Sequence, residues 1–320
     1  MAADMPMTAV IVDQTVPGRF RVGRVPRPVL RPAEALIRVG ATSLNRGEVK
    51  TALGAADGFR PGWDFAGIVV ERAADGSGPI VGTRVAGLMP FAAWSEYVAA
   101  PAPAIAEIPH RVSLQDAATL PVAGLTARAA LAMGSPKPGR KVLITGASGG
   151  VGTMAIQLAA AQNAEVTVAI RNPANEKLVR ELGANHAAVG EDLAGAAPHG
   201  PFDLILESVG GETLGKALGL LAPGGKCVLC GASQSAITTF NASRFRIGGT
   251  SLYGLVMQYE LARTPPSAGL AELLALMERK KLGSVVEVLA PLAEVARVAD
   301  DLVKRRFSGK AVLTVNAELK

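Results

Sequence analysis

Apolar positions follow two regimes along the chain. Through the first third they form short runs, Thr8–Val12, Glu34–Val39, Gly67–Glu71 and Arg84–Leu88, separated by Pro and Gly. Short β-branched runs bounded by turn residues predict strands, and no long helical period precedes Leu114. Leu114–Met133 is rich in Ala and Leu and predicts helix, with Pro121 and Gly124 inside it. The chain then alternates: strand Val142–Thr145, helix Val151–Ala161, strand Val166–Ile170, helix Pro173–Leu182, strand Leu204–Glu207, helix Glu212–Leu221, strand Cys227–Cys230. Such alternation predicts parallel βαβ units. After a polar loop, Gly231–Arg244, strand Thr250–Leu255 closes this block. Next comes a helix with Leu270, Leu273, Leu274 and Met277 at i, i+3, i+4 and i+7. Strand Val285–Leu289, helix Leu292–Lys304 and strand Ala311–Val315 follow. This tail cannot bury a core alone, so its strands are expected to join the N-terminal part. The expectation is an α/β chain of two domains, residues 1–120 with 259–320, and residues 121–258 as a doubly wound parallel sheet.

Composition narrows the function. Hydrophobic residues are 49% of the 320 and charged ones 19%, enough for sizeable cores and unlike a disordered chain. The net charge of +6 is spread along the length, with no run of five basic residues, and aromatics are 4%. This suits a small anionic ligand, and no nucleic-acid partner is expected. Two cysteines exclude a disulfide scaffold and point to a reducing compartment. The opening MAADMPM has no leader pattern. The uncharged run Val142–Ala164 contains four glycines and reads as strand, turn and helix, not a membrane span. A cytoplasmic location is expected.

The strongest motif is Val142-Leu-Ile-Thr-Gly-Ala-Ser-Gly-Gly-Val-Gly152. An apolar strand runs into Gly146, Gly149, Gly150 and Gly152 and then a helix, a variant of the dinucleotide fingerprint. Glycines let backbone amides approach a pyrophosphate, and the helix start places its positive end there. At the tip of the next strand an NAD site usually carries Asp or Glu for the ribose hydroxyls. Here Ile170-Arg171-Asn172 stands there, with Lys177 one turn beyond Pro173. Arg171 can pair bidentately with a 2′-phosphate, which points to NADPH. Otherwise Arg171 is a solvated surface residue and Asn172–Pro173 only caps a helix.

The loop also fits the short-chain dehydrogenase pattern, whose members carry Tyr-x-x-x-Lys. Four residues beyond Tyr97, Tyr253 and Tyr259 stand Pro101, Met257 and Arg263, so that family is rejected. Nearly the whole chain instead resembles the medium-chain dehydrogenase/reductase family, in its zinc-free, quinone-oxidoreductase-like (zeta-crystallin-like) branch. The resemblance rests on Leu44-Asn45-Arg-Gly-Glu48, Pro61-Gly-Trp-Asp-Phe-Ala-Gly67, Val81-Gly-Thr-Arg-Val85, Trp94-Ser-Glu-Tyr-Val98, Ala117-Ala-Thr-Leu-Pro121 and Leu125-Thr-Ala127. The glycine loop, Glu181-Leu-Gly-Ala184, Glu207-Ser-Val-Gly-Gly211, Pro223-Gly-Gly225 and Gly309-Lys310 continue it. It implies a GroES-like β-rich catalytic domain, a Rossmann doubly wound parallel-sheet domain, NADPH use and often a homodimer.

Carried onto this sequence, the resemblance places Thr126, Ser148, Val151, Ser208, Val209, Gly231, Ala232, Leu252, Tyr253 and Lys310 at the cofactor, beside the glycines, Arg171, Asn172 and Lys177. Asn45 and Lys50 are the candidate catalytic groups, with Trp63 and Tyr253 as walls of the substrate pocket. Trp63 equally reads as a packing residue, Asp64 as a turn carboxylate, Lys50 as a solvated helix position and Thr126 as a helix-interior hydroxyl. Gly62-Trp63-Asp64 replaces the Gly-His-Glu of zinc-dependent relatives, and Lys50 and Leu53 lie where quinone reductases of the branch carry tyrosines. No metal site is expected. Cys227-Val-Leu-Cys230 lacks a second ligand pair and reads as buried packing, and His110, His186 and His199 stand in separate loop-like contexts. The expected activity is NADPH-dependent, metal-free hydride transfer to a quinone or an α,β-unsaturated carbonyl. A zinc-free alcohol or carbonyl dehydrogenase, or a non-enzymatic NADPH-binding protein of redox-sensing or RNA-binding type, are the alternatives.

Overall fold

The computed structural model describes residues 5–134, 138–190, 192–261 and 263–319. Part of the N-terminal stretch read for a leader, Met1–Asp4, lies outside them. The chain divides into two compact units, Met1–Leu125 with Leu261–Lys320, and Thr126–Glu260. The first break falls inside the helix Leu120–Gly134, a few residues past the expected 120/121.

In the first unit a sheet runs in the order Val286–Pro291, Lys310–Thr314, Glu34–Ser43, Asp64–Glu71, Arg84–Leu88, Ile105–Glu107, and Tyr97–Pro101 also pairs with Glu34–Ser43. All pairs are antiparallel except Val286–Pro291 with Lys310–Thr314, which the helix Val295–Val303 connects. The central strand is four residues longer than its alternation predicted, because both its faces are covered near Ala41–Ser43. Ile37, Val39, Phe65, Val85 and Ile105 form one core cluster, and Val10, Phe20, Leu44, Trp94, Val298 and Leu313 another. Strands Phe20–Pro26 and Tyr97–Pro101 were not expected. Their Gly, Ala and Pro content has little strand preference, and pairing partners supply what propensity lacks. The expected Leu114–Met133 helix is two, Leu114–Ala118 and Leu120–Gly134. Pro121 has no amide to continue the ladder, and Ser113 caps the first helix by accepting the Asp116 amide at 3.0 Å.

Among the described residues one α-helix, Arg46–Leu53, precedes Leu114. It is eight residues long with a polar sequence, too short to show a helical period or to persist alone. Tertiary bonds hold it: Arg46 donates from both terminal nitrogens, at 2.9 Å each, to the carbonyls of Leu302 and Val303, which end another helix.

The second unit is a six-stranded, all-parallel sheet. Numbered from Lys141–Ile144 as the first strand, followed by Glu165–Ile170, His186–Val189, Phe202–Glu207, Leu221–Leu229 and Ser251–Gly254, the order is 3-2-1-4-5-6. This is the Rossmann order, with its switch point between the first and fourth strands. The inner strands are buried on both faces, and Leu143, Phe202, Ile205, Leu214 and Cys227 share one core. The helix expected to reach Leu221 is Gly211–Leu218, capped at Gly219, because Leu221 already pairs with Phe202.

Candidate functional site: a dinucleotide cradle and a buried polar cluster

At the switch point the first strand turns through Gly146 into the helix Gly150–Ala160. Gly146 has φ 57°, and a Cβ built there would lie 2.4 Å from Ser208 Oγ. At Gly152 a Cβ would lie 2.6 Å from the carbonyl oxygens of Gly146 and Ala147. Only glycine allows this turn to close, and Gly149 caps the helix with its amide 3.0 Å from the Gly146 carbonyl. Ser148, Gly149, Gly150 and Val151 are half-buried around the helix start. The arrangement fits the pyrophosphate of a dinucleotide, with amides and the positive helix end converging.

Arg171 is exposed at the tip of the second strand and has no acidic partner among the described residues. Asn172 accepts the Ala174 amide at 3.1 Å, so its side chain caps the turn. Lys177 is exposed and lies 3.8 Å from Glu181, so its charge is partly matched along its own helix. Thr126 is buried inside its helix.

Across the switch point Glu207 is fully buried at the end of the fourth strand. Its Oε1 accepts the Thr145 hydroxyl at 3.0 Å and the Val209 amide at 2.9 Å, and its Oε2 accepts the Gly210 amide at 2.9 Å. Burial pushes its carboxyl above the ordinary range, against the pull of these bonds. Ser208 donates to the Thr145 carbonyl at 3.2 Å. Gly231 packs where a Cβ would lie 3.0 Å from the Ser208 carbonyl, and Ala232 is exposed beside it. Leu252 and Tyr253 lie on the edge strand, and the Tyr253 hydroxyl donates to Glu260 at 2.9 Å. That bond commits the polar end of a residue expected both at the cofactor and as a wall of the substrate pocket.

In the first unit the polar residues converge differently from expectation. Asp64 is not a turn carboxylate: it is fully buried at the start of its strand. It accepts Ser43 Oγ at 2.5 Å, Asn45 Nδ2 at 2.7 Å, the Val122 amide at 2.9 Å and Lys310 Nζ at 3.3 Å. Lys310, expected at the cofactor, is 3% exposed and spends its ammonium on Asp64, the Leu44 carbonyl at 3.0 Å and Asn45 Oδ1 at 2.7 Å. Glu48, which was not singled out, accepts the Asn45 amide at 2.5 Å, Asn45 Nδ2 at 3.1 Å and the Trp63 amide at 2.7 Å. Burial, and then the neighbouring Asp64 charge, push the Glu48 carboxyl well above its usual range, while Lys310 pulls it down. Its signal was the Asn45-x-x-Glu48 spacing of a capping box. Both Asn45 amide hydrogens are therefore taken. Lys50 is exposed on the last turn of the helix. Trp63 is half-buried, its ring 3.3 Å from where a Gly47 Cβ would sit.

The histidines are not all separate. His186 lies in a strand, 3.2 Å from Glu165, and stacks on His199 with ring centroids 3.7 Å apart. Sequence spacing could not show this, because the contact depends on how the chain returns after the strand. Cys227 is buried in its strand, and Cys230 lies one residue beyond the strand end. Burial pushes the Cys230 thiol up to about 12 and Cys227 higher still, so neither is a ready thiolate. Among the described residues no group of three or more His, Cys, Asp or Glu is arranged to hold a metal ion, and no helix is long and apolar enough to cross a membrane.

Two family models match, "Alcohol dehydrogenase GroES-like domain" over residues 31–110 and "Zinc-binding dehydrogenase" over residues 150–278. The spectinabilin polyketide synthase system protein NorB of Streptomyces orinoci is 35% identical over 296 residues, 89% of this chain. The chain spans only 13% of that protein's length. Quinone oxidoreductase-like protein 2 of Bos taurus is 28% identical over 309 residues, 91% of this chain and 87% of its own. A mycobacterial protein solved in complex with NADPH superposes with a TM-score of 0.88 at 26% identity, covering 97% of this chain and 100% of its own. A GroES-like unit and a Rossmann-type parallel sheet in this order define the alcohol-dehydrogenase type of fold. The chain belongs to the medium-chain dehydrogenase/reductase family, in its quinone-oxidoreductase-like branch.

Proposed function

We propose that this chain is an NADPH-dependent, metal-free reductase that delivers hydride to a quinone or an α,β-unsaturated carbonyl in a reducing compartment. The observation that carries the reading is the glycine loop at the switch point, followed one strand later by Arg171 in place of a carboxylate. The loop amides of Ser148, Gly150, Val151 and Gly152 hold the pyrophosphate and Arg171 pairs with the 2′-phosphate, with Lys177 as a second, partly matched charge. When bound, NADPH supplies the hydride. Ser208, Val209, Gly231 and Ala232 border the rest of the cofactor.

The first unit supplies orientation and charge. With no metal-holding group among the described residues and no Tyr-x-x-x-Lys pair in the sequence, an isolated ketone has nothing to polarise it, so the acceptor is one activated by conjugation. Asn45 keeps its hydrogens on Glu48 and Asp64 and acts by fixing the helix start. That leaves Lys50 to stabilise the acceptor oxygen and Trp63 as an apolar wall. The likeness to a quinone oxidoreductase-like protein supports the quinone acceptor. Oxidation of NADPH followed by absorbance against a panel of quinones, enones and simple ketones, with and without chelator, tests the reading. Activity confined to conjugated acceptors and unchanged by chelator is expected. Preference for simple ketones or alcohols, or loss of activity in chelator, would overturn it.

A further inference from the structure

The Glu207 carboxylate sits at the junction of three strand ends. On the first strand's side it holds the Thr145 hydroxyl, whose oxygen in turn accepts the Ser208 amide at 3.1 Å. On its own side it holds the Val209 and Gly210 amides. Beyond the fifth strand, the Glu207 carbonyl accepts the Cys230 amide at 2.8 Å, and the Val209 carbonyl accepts the Gln234 amide at 2.8 Å. Gly210 sits at φ 74°, where a Cβ would lie 2.2 Å from the Ser235 carbonyl. The turn Ser208–Gly211 is therefore set from one side by a carboxylate and from the other by close backbone packing. A buried carboxylate with three donors and no cation is unusual unless it fixes a shape.

That turn belongs to the second mononucleotide half of the fold, whereas Arg171 belongs to the first. We infer that Glu207, acting through Thr145, is a positioning residue that shapes the switch-point crevice for the nicotinamide half of the cofactor and leaves the adenosine half untouched. The inference rests on the NADPH reading above, and the test separates the two.

Glutamine at 207 keeps the size but replaces one acceptor oxygen with a donor, so a backbone amide or the Thr145 hydroxyl loses its partner. The test measures dissociation constants of NADPH, NADH and 2′,5′-ADP for the full chain and for Glu207→Gln. NADPH and NADH are each expected to weaken about tenfold, the factor one lost hydrogen bond of ordinary strength is worth. Their ratio and the 2′,5′-ADP constant stay at the parent values. Thr145→Val should repeat the pattern and Thr145→Ser should not, which keeps the test open if the Glu207 variant does not fold. Equal weakening of 2′,5′-ADP, or unchanged NADPH binding in both Glu207→Gln and Thr145→Val, would overturn the inference. Failure of the parent to bind 2′,5′-ADP or NADPH at all would overturn the cofactor reading itself.

Discussion

Lys310 Nζ lies 3.3 Å from Asp64 Oδ2, with the two side chains 3% and 0% exposed. The pair joins the last strand of the chain to a strand nearly 250 residues earlier, and Asn45 bonds to both members. Removing one partner of such a pair strands the other charge without solvent, at a cost of about 3–5 kcal/mol. Lys310→Met should therefore lower the unfolding free energy by about that amount in urea titrations. Adding Asp64→Asn should recover much of the loss. A single variant as stable as the parent would contradict the role given to the pair.

Glu48 gives a pH dependence with a definite sign. The folded state holds its proton more tightly than the unfolded chain, because burial and Asp64 both disfavour the carboxylate. Its contribution to stability is therefore full below the ordinary value of 4.5 and is lost as pH rises from there through the raised one. Glu48→Gln does not titrate. Relative to the parent, its melting temperature should rise as pH is taken from 4.5 to about 8. A difference that stays constant, or that moves the other way, would count against the buried, proton-retaining Glu48.

How much of this was legible varied by unit. Five of the six strands of the parallel sheet were legible as apolar runs, and the glycines stand where the turn demands them, but His186–Val189 was missed because its His-Ala-Ala-Val sequence has little strand preference. The polar cluster was not legible. Glu48 and Lys50 are two residues apart on one eight-residue helix, and only the packing of that helix decides which is buried. Likewise Lys310 reads as an ordinary surface or ligand lysine until Val312 pairs with Ser43, a register that sequence pattern does not reveal. Asn45 was expected as a catalytic donor, but its hydrogens are committed to Glu48 and Asp64, and Asp64 becomes a neighbour only in the fold.

The proposed preference for NADPH rests on Arg171. One bidentate arginine–phosphate contact is worth about 1.5–3 kcal/mol, or roughly 10- to 100-fold in affinity. The parent should favour NADPH over NADH by that order, and Arg171→Asp should abolish or reverse the preference in fluorescence titrations. Equal dissociation constants for the two cofactors in the parent would refute the assignment.

The strand Ser251–Gly254 is an edge, with Leu252 43% and Tyr253 37% exposed. An apolar edge of this kind is commonly covered, and pairing with the same strand of a second copy across a two-fold axis would do so. Light scattering at micromolar concentration should give a dimer for the parent, and Leu252→Lys should shift it to monomer. A monomeric parent, or a variant that dimerises as the parent does, would remove this proposal.

Hydride delivery to a conjugated carbonyl is the claim on which the rest depends, and isotope placement tests it most directly. With NADPH deuterated at the transferred position of C4 and an enone as acceptor, the product should carry deuterium at the carbon β to the carbonyl. The hydrogen at the α carbon should come from solvent. Deuterium at the carbonyl carbon, or its absence from the product, would contradict the account.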